Sequence, residues 1–535
     1  MGGLSATALR AQAIARLSSS EWDVVVIGGG ITGAGVAQQA ARQGWKVLLL
    51  EQRDFAWGTS SRSSKLVHGG LRYLKEGAIK TTLHSVRERE RLMREVPQLI
   101  EAQSFLFADC VGRKPGRWLL QLGMVVYDLL AGQRNHFWAN LATVQALAPG
   151  LNPGRMRGGM VFTDAKTDDA RLVYRLLMEA QRDGALVLNY AAAQQLQLEA
   201  GRVCGLTVQD VNTGKRTELR CKSLVNATGA WADRLRAGVG GKPMLRPLRG
   251  SHLIVPFWRL PVSQCISLMH PGDGRPVFLY PWEGATLIGT TDLDHADDLN
   301  IEASITLAEL NYLLEAVNDQ FPSAGITQSD VCACYAGVRP VVDSGVGVAS
   351  KAARDHVVLD ESGLITVAGG KLTTFRLMAQ DALELAAPHV EKAFTCDDGA
   401  IFTSVGLLPA RWGASIRHRL AARYGWRAVE LSAQATDDDL QTIPGTDTLW
   451  LEIAIAARCE AVVHLDDLML RRTRLGLLLR HGGVEHLSRI RALCEPHLRW
   501  GEALWAHEIS RYEEIIAAHY QVPVRDDDQL RRKTE

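Results

Sequence analysis

The segment at residues 60–74, SSRSSKLVHGGLRYL, brings together residue types that bind phosphate and move protons. It contains four serines, three cations, a histidine, two glycines and a tyrosine. Hydroxyls and backbone N–H groups suit the oxygens of a phosphorylated cofactor, and cations suit an anionic substrate. Two interpretations follow: the segment is a polar surface loop, or it holds part of a cofactor and an anionic substrate next to each other.

A glycine pattern precedes this segment. Gly28, Gly30 and Gly33 lie between a predicted buried strand at 24–27 and a predicted helix. Gly28 permits a tight turn, Gly30 lets the backbone approach a pyrophosphate, and Gly33 allows close helix–strand packing. Glu51 ends the next strand, where its carboxylate can accept hydrogen bonds from a ribose. The combination predicts dinucleotide binding.

The order of the later glycine-rich turns favours one dinucleotide. A domain that binds NAD would continue as alternating strands and helices. Here the chain leaves the first unit into residues 60–65 and returns much later with LVNATG (224–229) and VAGGKLTT (367–374). A fold closed by distant segments around one cofactor favours FAD that is held permanently.

Length and composition limit the class of protein. The 535 residues are 47% hydrophobic and 22% charged, which is typical of a globular chain of about two or three domains. The formal net charge of +1 argues against nucleic acid as a partner. Nine cysteines lack CxxC pairs and nearby histidine ligands, so neither a disulfide framework nor a metal site is predicted. Without a signal peptide or a run of ~18 apolar residues, we expect a protein that is soluble or lies on a membrane surface, in a reducing compartment.

Eight motifs carry a resemblance to a known family. They are GGGITGAG, TSSRSSKLVHGGLRYL, LVNATGAW, GSHLIVP, IGTTD, AGVRP, ARDH and GGKLTTFR. Their types and order resemble those of FAD-dependent glycerol-3-phosphate dehydrogenases, of the aerobic respiratory bacterial type and its mitochondrial relatives. HGGLRYL and GGKLTT are specific to that family, whereas the glycine pattern is shared by many flavoproteins.

The resemblance implies an α/β fold with a discontinuous Rossmann-like FAD-binding domain, a mixed-sheet substrate or cap domain, and a C-terminal all-helical domain. The predicted boundaries are 1–20 for an N-terminal extension, 21–390 for the FAD-dependent oxidoreductase part (FAD-binding segments at about 21–100, 160–235 and 335–390; substrate or cap segments at about 100–160 and 236–335) and 391–535 for the C-terminal helical domain.

The resemblance also implies an activity and a location. The activity is oxidation of sn-glycerol 3-phosphate to dihydroxyacetone phosphate, with electrons passed to a membrane quinone. The location is cytoplasmic, with peripheral association at the inner face of the cytoplasmic membrane, and a homodimer is a candidate assembly. Two alternatives stay open: a family oxidase that reduces oxygen to peroxide, and a flavin-bearing scaffold protein without catalysis.

Cofactor contacts are expected from the glycine turns and from the serine-rich segment. They are Gly28, Gly30, Ile31, Thr32, Gly33, Glu51, Gln52, Thr59, Ser60, Ser61, Ser63, Ser64, Lys65, Leu66, Ala227, Thr228, Gly229, Gly370, Lys371, Leu372, Thr373 and Thr374. Within the serine-rich segment, we expect Lys65 on the cofactor side and Arg62 in solvent.

A buried phosphate dianion needs several cations and donors around it, because uncompensated burial of its charge is prohibitive. The candidates are Arg72, Tyr73, Arg339, Arg354 and Lys371.

Transfer of a hydride from the substrate requires a base for the hydroxyl proton. His68 and His252 are the candidates, although a lone histidine is often structural. Arg339 and Lys371 could instead stabilise the developing alkoxide.

Two segments are candidates for contact with lipid. Residues 112–133 combine Arg113, Lys114 and Arg117 with Trp118 and a short apolar run, which suits an interfacial helix as well as a buried one. Residues 464–480 place arginines among leucines, which indicates either contact with lipid or a partner, or a helix with buried leucines and solvated arginines.

Overall fold

A computed structural model describes residues 6–18, 21–70, 79–110, 116–132, 135–343, 356–397 and 399–523. Three predicted substrate residues, Arg72, Tyr73 and Arg354, lie outside the described residues.

The strands are β1 (Trp22–Ile27), β2 (Val47–Leu50), β3 (Leu66–Val67), β4 (Glu101–Cys110), β5 (His136–Ala139), β6 (Met156–Lys166), β7 (Leu186–Leu188), β8 (Ala191–Glu199), β9 (Arg202–Asp210), β10 (Arg216–Asn226), β11 (Leu245–Pro256), β12 (Cys265–Met269), β13 (Pro276–Trp282), β14 (Ala285–Gly289), β15 (Leu293–Asp294), β16 (Ala333–Val342), β17 (His356–Glu361) and β18 (Leu364–Gly369). The α-helices are α1 (Ala6–Ala15), α2 (Ile31–Arg42), α3 (Ile79–Glu95), α4 (Arg117–Ala131), α5 (Leu141–Leu147), α6 (Asp169–Arg182), α7 (Ala232–Ala237), α8 (Leu307–Gln320), α9 (Phe375–Val390), α10 (Ala414–Tyr424), α11 (Ala428–Leu431), α12 (Trp450–Cys459), α13 (Leu475–Leu478), α14 (Leu487–Leu498) and α15 (Glu502–Ile515).

The first sheet has the order β17-β18-β10-β1-β2-β7, and β9 and β8 continue from β10. Fully buried β1 pairs in parallel with β10 and β2, and β10 pairs in parallel with β18. Its β-branched residues suit a strand covered on both faces. Since the carboxyl ends of parallel strands meet at one edge, the turns after β1, β2, β10 and β18 come together there.

The second sheet has the order β15-β11-β14-β13-β12-β4-β6-β3, with β16 beside β11 and β5 beside β6. β12 pairs in parallel with β4, whereas β4 and β6 are antiparallel, so this is a mixed sheet. β16 runs along most of β11 and brings Arg339 opposite Leu248.

Beyond Val390, the described residues form helices α10 to α15, short 3₁₀- and π-helical segments and irregular turns. Their buried leucines share a core with Trp282 and Tyr335 of the second sheet. The predicted fold class, with its discontinuous nucleotide-binding part, mixed sheet and helical C-terminal part, is confirmed, while the domain boundaries stay predictions. Within the part of the chain that the structure describes, no helix has the length and apolar character needed to cross a bilayer.

Candidate active site

A cavity of about 1800 Å³ runs from the carboxyl edge of the first sheet along the second sheet. Pockets for one small ligand are commonly about 300–1,000 Å³, so this cavity has room for a cofactor and further molecules. Most of the predicted site residues meet in its wall: Gly28, Gly30, Ile31, Thr32, Glu51, Gln52, Thr59, Ser60, Ser63, Ser64, Leu66, His68, Ala227, Thr228, Gly229, Arg339, Gly370, Lys371, Leu372 and Thr373.

The first glycine turn forms a cradle at one end of the cavity. Gly28 has φ +109°, and a Cβ added there would overlap the carbonyl oxygen of Ala227. A Cβ at Gly33 would overlap the carbonyl oxygen of Gly28, so Gly33 is required for packing and lies outside the cavity wall. The backbone at Gly30 and Ile31 opens α2 towards the cavity, where helix N–H groups favour an anionic group.

Glu51 follows β2 at the same edge. Its carboxylate accepts the N–H groups of Gly29 at 2.7 Å and Arg53 at 2.9 Å. Burial raises the pKa of the Glu51 carboxyl, although both N–H groups act in the opposite direction. The carboxylate is thus fixed in the cavity wall, where it can accept hydrogen bonds from the hydroxyl groups of a ribose.

The serine-rich segment divides between the cavity and the interior. Ser63 and Ser64 lie in the cavity wall. The Lys65 side chain is fully buried, and its Nζ lies 3.0 Å from Asp169 and 2.9 Å from the carbonyl oxygen of Ser61. The expectation that Lys65 contacts the cofactor is therefore wrong, because its charge is directed away from the cavity and neutralised by Asp169. Ser61 likewise lies outside the wall.

Arg62 differs from its prediction as well. It is buried rather than solvated, and it pairs with Glu302 and lies over the Trp57 ring. Its Nη2 also lies 3.1 Å from the hydroxyl oxygen of Tyr520.

The second glycine turn follows β18. Gly369 and Gly370 have φ values of +75° and +76°, a backbone conformation that glycine adopts readily, and Lys371 follows them directly. Lys371 lies in the cavity wall, and its Nζ is 3.3 Å from the Oγ of Ser85 on α3. Thr374 lies outside this wall and borders a separate small hollow beside Lys371.

Arg339 is held in place by the turn after β14. Its Nη2 donates to the carbonyl oxygen of Thr291 at 2.9 Å and lies 3.1 Å from an Asp292 carboxylate oxygen. Asp292 lies in the cavity wall with Arg339; it ends the IGTTD motif but was not among the predicted site residues.

The two candidate histidines have different positions. His68 lies in the cavity wall. His252 lies behind the wall, stacked on Tyr335, with its Nε2 2.8 Å from the Oγ of Ser64. Burial, together with the Lys65 and Arg339 cations, lowers the pKa of His252 well below its usual range. A neutral His252 can therefore orient the Ser64 hydroxyl, but the structure does not bring it to the cavity surface.

Part of the cavity wall is apolar, a feature that the sequence analysis missed. Its wall contains Ile79, Phe105, Phe107, Leu119, Leu120, Leu122, Gly123, Val126, Phe162 and Phe278. Phe105 and Phe107 alternate along β4, and this two-residue spacing was the signal that both face one side. Asp164, also in the wall, accepts the N–H of Gly69 at 3.1 Å and was missed too.

The residues present fit FAD on the chemistry of the donor set. The glycine cradle and the N-terminus of α2 match a pyrophosphate, and the fixed carboxylate after β2 matches a ribose. The hydroxyls of Thr59, Ser60 and Ser63 match a ribityl chain.

Comparisons with known proteins agree with this geometry. Residues 23–376 match the family model described as FAD dependent oxidoreductase, and residues 378–504 match that of the C-terminal domain of alpha-glycerophosphate oxidase. A glycerol-3-phosphate dehydrogenase of Mycobacterium tuberculosis is 35% identical over 97% of this chain and 92% of its own length.

Two solved structures are similar as well. The glycerol-3-phosphate dehydrogenase of Bacillus halodurans complexed with FAD is 27% identical, with a TM-score of 0.74 over 95% of this chain and 97% of that one. The L-alpha-glycerophosphate oxidase of Mycoplasma pneumoniae, with FAD bound, shares the fold at 17% identity, with a TM-score of 0.58 over 71% of this chain and 97% of that one.

Proposed function

The chain belongs to the family of FAD-dependent glycerol-3-phosphate dehydrogenases, and from this premise we propose that it oxidises sn-glycerol 3-phosphate to dihydroxyacetone phosphate. FAD is its cofactor, as the sequence predicted. The glycine cradle, Glu51 and the serine-rich segment would hold FAD, which when bound would provide the hydride acceptor for the oxidation of the substrate at carbon 2. The observation that carries the proposal is one cavity that joins a dinucleotide cradle to Arg339, Lys371 and His68.

The residues of the chain have separate roles in this proposal. Arg339 binds the phosphate, because a guanidinium offers the paired donors that a phosphate accepts. Thr291 and Asp292 keep that guanidinium oriented. Lys371 stabilises negative charge on the substrate oxygen, and His68 takes the hydroxyl proton, since it lies in the wall and His252 lies behind it. Arg72, Tyr73 and Arg354 are proposed to complete the phosphate site.

A quinone is the proposed electron acceptor. The apolar part of the cavity wall supports this choice, because the phenylalanines in it offer the apolar surroundings that an aromatic, poorly hydrated ligand requires. They are Phe105, Phe107, Phe162 and Phe278. A substrate as polar as glycerol 3-phosphate does not need such a wall. Oxygen as acceptor is the second candidate, since residues 378–504 match the C-terminal domain of alpha-glycerophosphate oxidase.

Anaerobic addition of glycerol 3-phosphate to the purified protein tests the function. We expect the flavin absorbance to bleach, because the substrate reduces the flavin while no acceptor is present. Absence of bleaching at saturating substrate would contradict both enzymatic readings and leave the scaffold protein. The reduced protein is then divided between air and a soluble quinone, and faster reoxidation by air would identify the oxidase.

We propose that α4 lies on the membrane surface. Trp118, Leu122, Val125 and Leu129 recur at three- and four-residue intervals, so they share one face of the helix, and all four are exposed. Leu122 also lines the apolar part of the cavity wall, so an acceptor dissolved in lipid has a short route inwards. The proposed location is the inner face of the cytoplasmic membrane.

Replacement of Trp118 and Leu129 by serine is expected to lower binding to anionic phospholipid vesicles about 100-fold. The two side chains are 77% and 76% exposed and do not line the cavity, and each contributes about 1.5–3 kcal/mol when buried in an apolar phase. Cosedimentation with vesicles measures the effect. Leu407→Ser is the control, because Leu407 is 98% exposed but lies outside α4. Equal binding by both variants would rule out this face.

A further inference from the structure

Residues 51–66, called the cofactor-side segment here, have two sides. One side faces the cavity through Glu51, Gln52, Thr59, Ser60, Ser63, Ser64 and Leu66. The other side contacts charged side chains from the C-terminal helical part, at Asp54 and, through Asp169, at Ser63 and Lys65. The shape of the cavity wall therefore depends on contacts made behind it.

Asp54 is the first contact. It has no exposed surface, and its carboxylate accepts two hydrogen bonds from Arg472, at 2.7 and 2.8 Å. Arg471 pairs with the same carboxylate and with Asp466 and Asp467. Both arginines lie in the segment 464–480, for which the sequence predicted either contact with lipid or a partner, or arginines exposed to solvent. In the structure both are buried inside the protein.

Asp169 is the second contact. It accepts the backbone N–H of Ser63 at 3.1 Å and the Ser63 hydroxyl at 2.7 Å, and it pairs with Lys65 at 3.0 Å. The guanidinium of Arg474 pairs with this carboxylate and also with that of the neighbouring Asp168, whose Oδ1 lies 2.9 Å from the Arg474 Nη2. The acid that holds the serine turn is thus paired with Lys65 and with one arginine of the C-terminal part.

The energetic consequence follows from burial. Burial of an ion is strongly destabilising unless the ion is paired and hydrogen-bonded, and removal of one partner is more destabilising than absence of the whole pair. Without Arg474, Asp168 would keep Arg423 at 3.2 Å and Asp169 would keep Lys65 at 3.0 Å, but these two adjacent buried carboxylates would lose the one cation that they share. The cheapest relief is movement of the turn that carries Ser63 and Ser64, because Asp169 itself is fixed at the first turn of α6.

We propose that Arg474 is a positioning residue for FAD, which acts through Asp169 on Ser63 and Ser64. The C-terminal helical part is then a clamp that retains the cofactor. The inference depends on FAD binding alone, and neither the substrate nor the electron acceptor enters it. Tyr335 and Tyr280, which donate to the carbonyl oxygens of Ser63 and Ser64, hold the same turn from the second sheet.

Arg474→Lys in the full chain tests the proposal. A lysine keeps the charge but cannot fork onto two carboxylates, so we expect the dissociation constant of FAD to rise at least about tenfold, mainly through faster release. Recovery of the fluorescence of free flavin after dilution measures release, and thermal unfolding of the apoprotein measures stability.

Arg419→Lys is the matched control. Arg419 is a mostly buried arginine of the same helical part that bonds Glu452, Glu283 and Thr448, none of which belongs to the cofactor-side segment or to Asp168 and Asp169. We expect a comparable fall in the apoprotein Tm with FAD release within about twofold of wild type. Equal release of FAD from both variants, whether fast or slow, would overturn the proposal. If Arg474→Lys does not fold, the double variant Arg474→Gln, Asp168→Asn takes its place in the same measurement of FAD release. This double variant removes one charge of each sign.

Discussion

Arg339→Ala is expected to raise the concentration of glycerol 3-phosphate that half-bleaches the flavin by about 100-fold or more, with FAD still bound. Loss of one partner from a desolvated, hydrogen-bonded charge pair costs about 2–5 kcal/mol. The change also leaves Asp292 without this cation at 3.1 Å, and its carboxylate would then repel the phosphate. FAD should stay because the Arg339 side chain pairs with Thr291 and Asp292 rather than with the glycine turns. An anaerobic titration followed by flavin absorbance measures both quantities.

Arg246→Ala provides the comparison. Arg246 lies on β11, next to β16, and pairs with the exposed Asp294 at 2.6 Å, outside the cavity wall. Exposed ion pairs contribute about 0–1 kcal/mol, so half-bleaching should shift by less than about fivefold. A similar small shift in Arg339→Ala would show that the phosphate is bound elsewhere.

Gly28→Ala is expected to lower the affinity for FAD about 100-fold, and the protein should purify largely without flavin. The added methyl group would overlap the carbonyl oxygen of Ala227, the residue that begins the turn after β10. Either β1 or β10 must therefore shift at the point where both approach the cofactor. Positive φ adds strain for alanine, and overpacking of this kind costs about 1–3 kcal/mol. The ratio of flavin to protein absorbance after gel filtration is the measurement.

Gly44→Ala separates strain from overlap. Gly44 belongs to the same strand–helix–strand unit and also has a positive φ, +74°, but nothing lies within 4 Å of an added Cβ. This variant should lose about 1 kcal/mol of stability and keep its full flavin content. Loss of flavin in both variants would mean that backbone strain, rather than the close approach at Ala227, controls binding.

Residues that the backbone constrains could be predicted from the sequence. Gly28 and Gly33 have no tolerated replacement, because other backbone atoms occupy the space that a Cβ would need. Any chain with this turn therefore requires glycine at the same two positions. Glu51 could be predicted for a related reason, since it ends the strand next to that turn. The dinucleotide-binding unit followed from the same strand, turn and helix pattern, whereas the full fold class was implied by the family resemblance.

The fates of the charged residues could not be predicted in this way. Lys65, Arg62 and Arg471 find partners 104, 240 and 417 residues away along the chain, and no local pattern reports such a distance. A basic residue among serines or leucines looks the same in sequence whether an aspartate or water surrounds it. The position of His252 behind Ser64 depends on strand pairing in the second sheet, which spacing alone does not specify.

The pairing of Asp54 with Arg471 and Arg472 has a consequence for biosynthesis. A ribosome that adds about 5–20 residues per second needs roughly 20–80 s to travel the 417 residues between Asp54 and Arg471. During that interval the nascent chain already holds the first glycine turn, yet Asp54 has neither of its arginine partners. A lasting cofactor site therefore forms after translation has passed residue 474, and stalled or truncated chains should be recognisable as colourless protein.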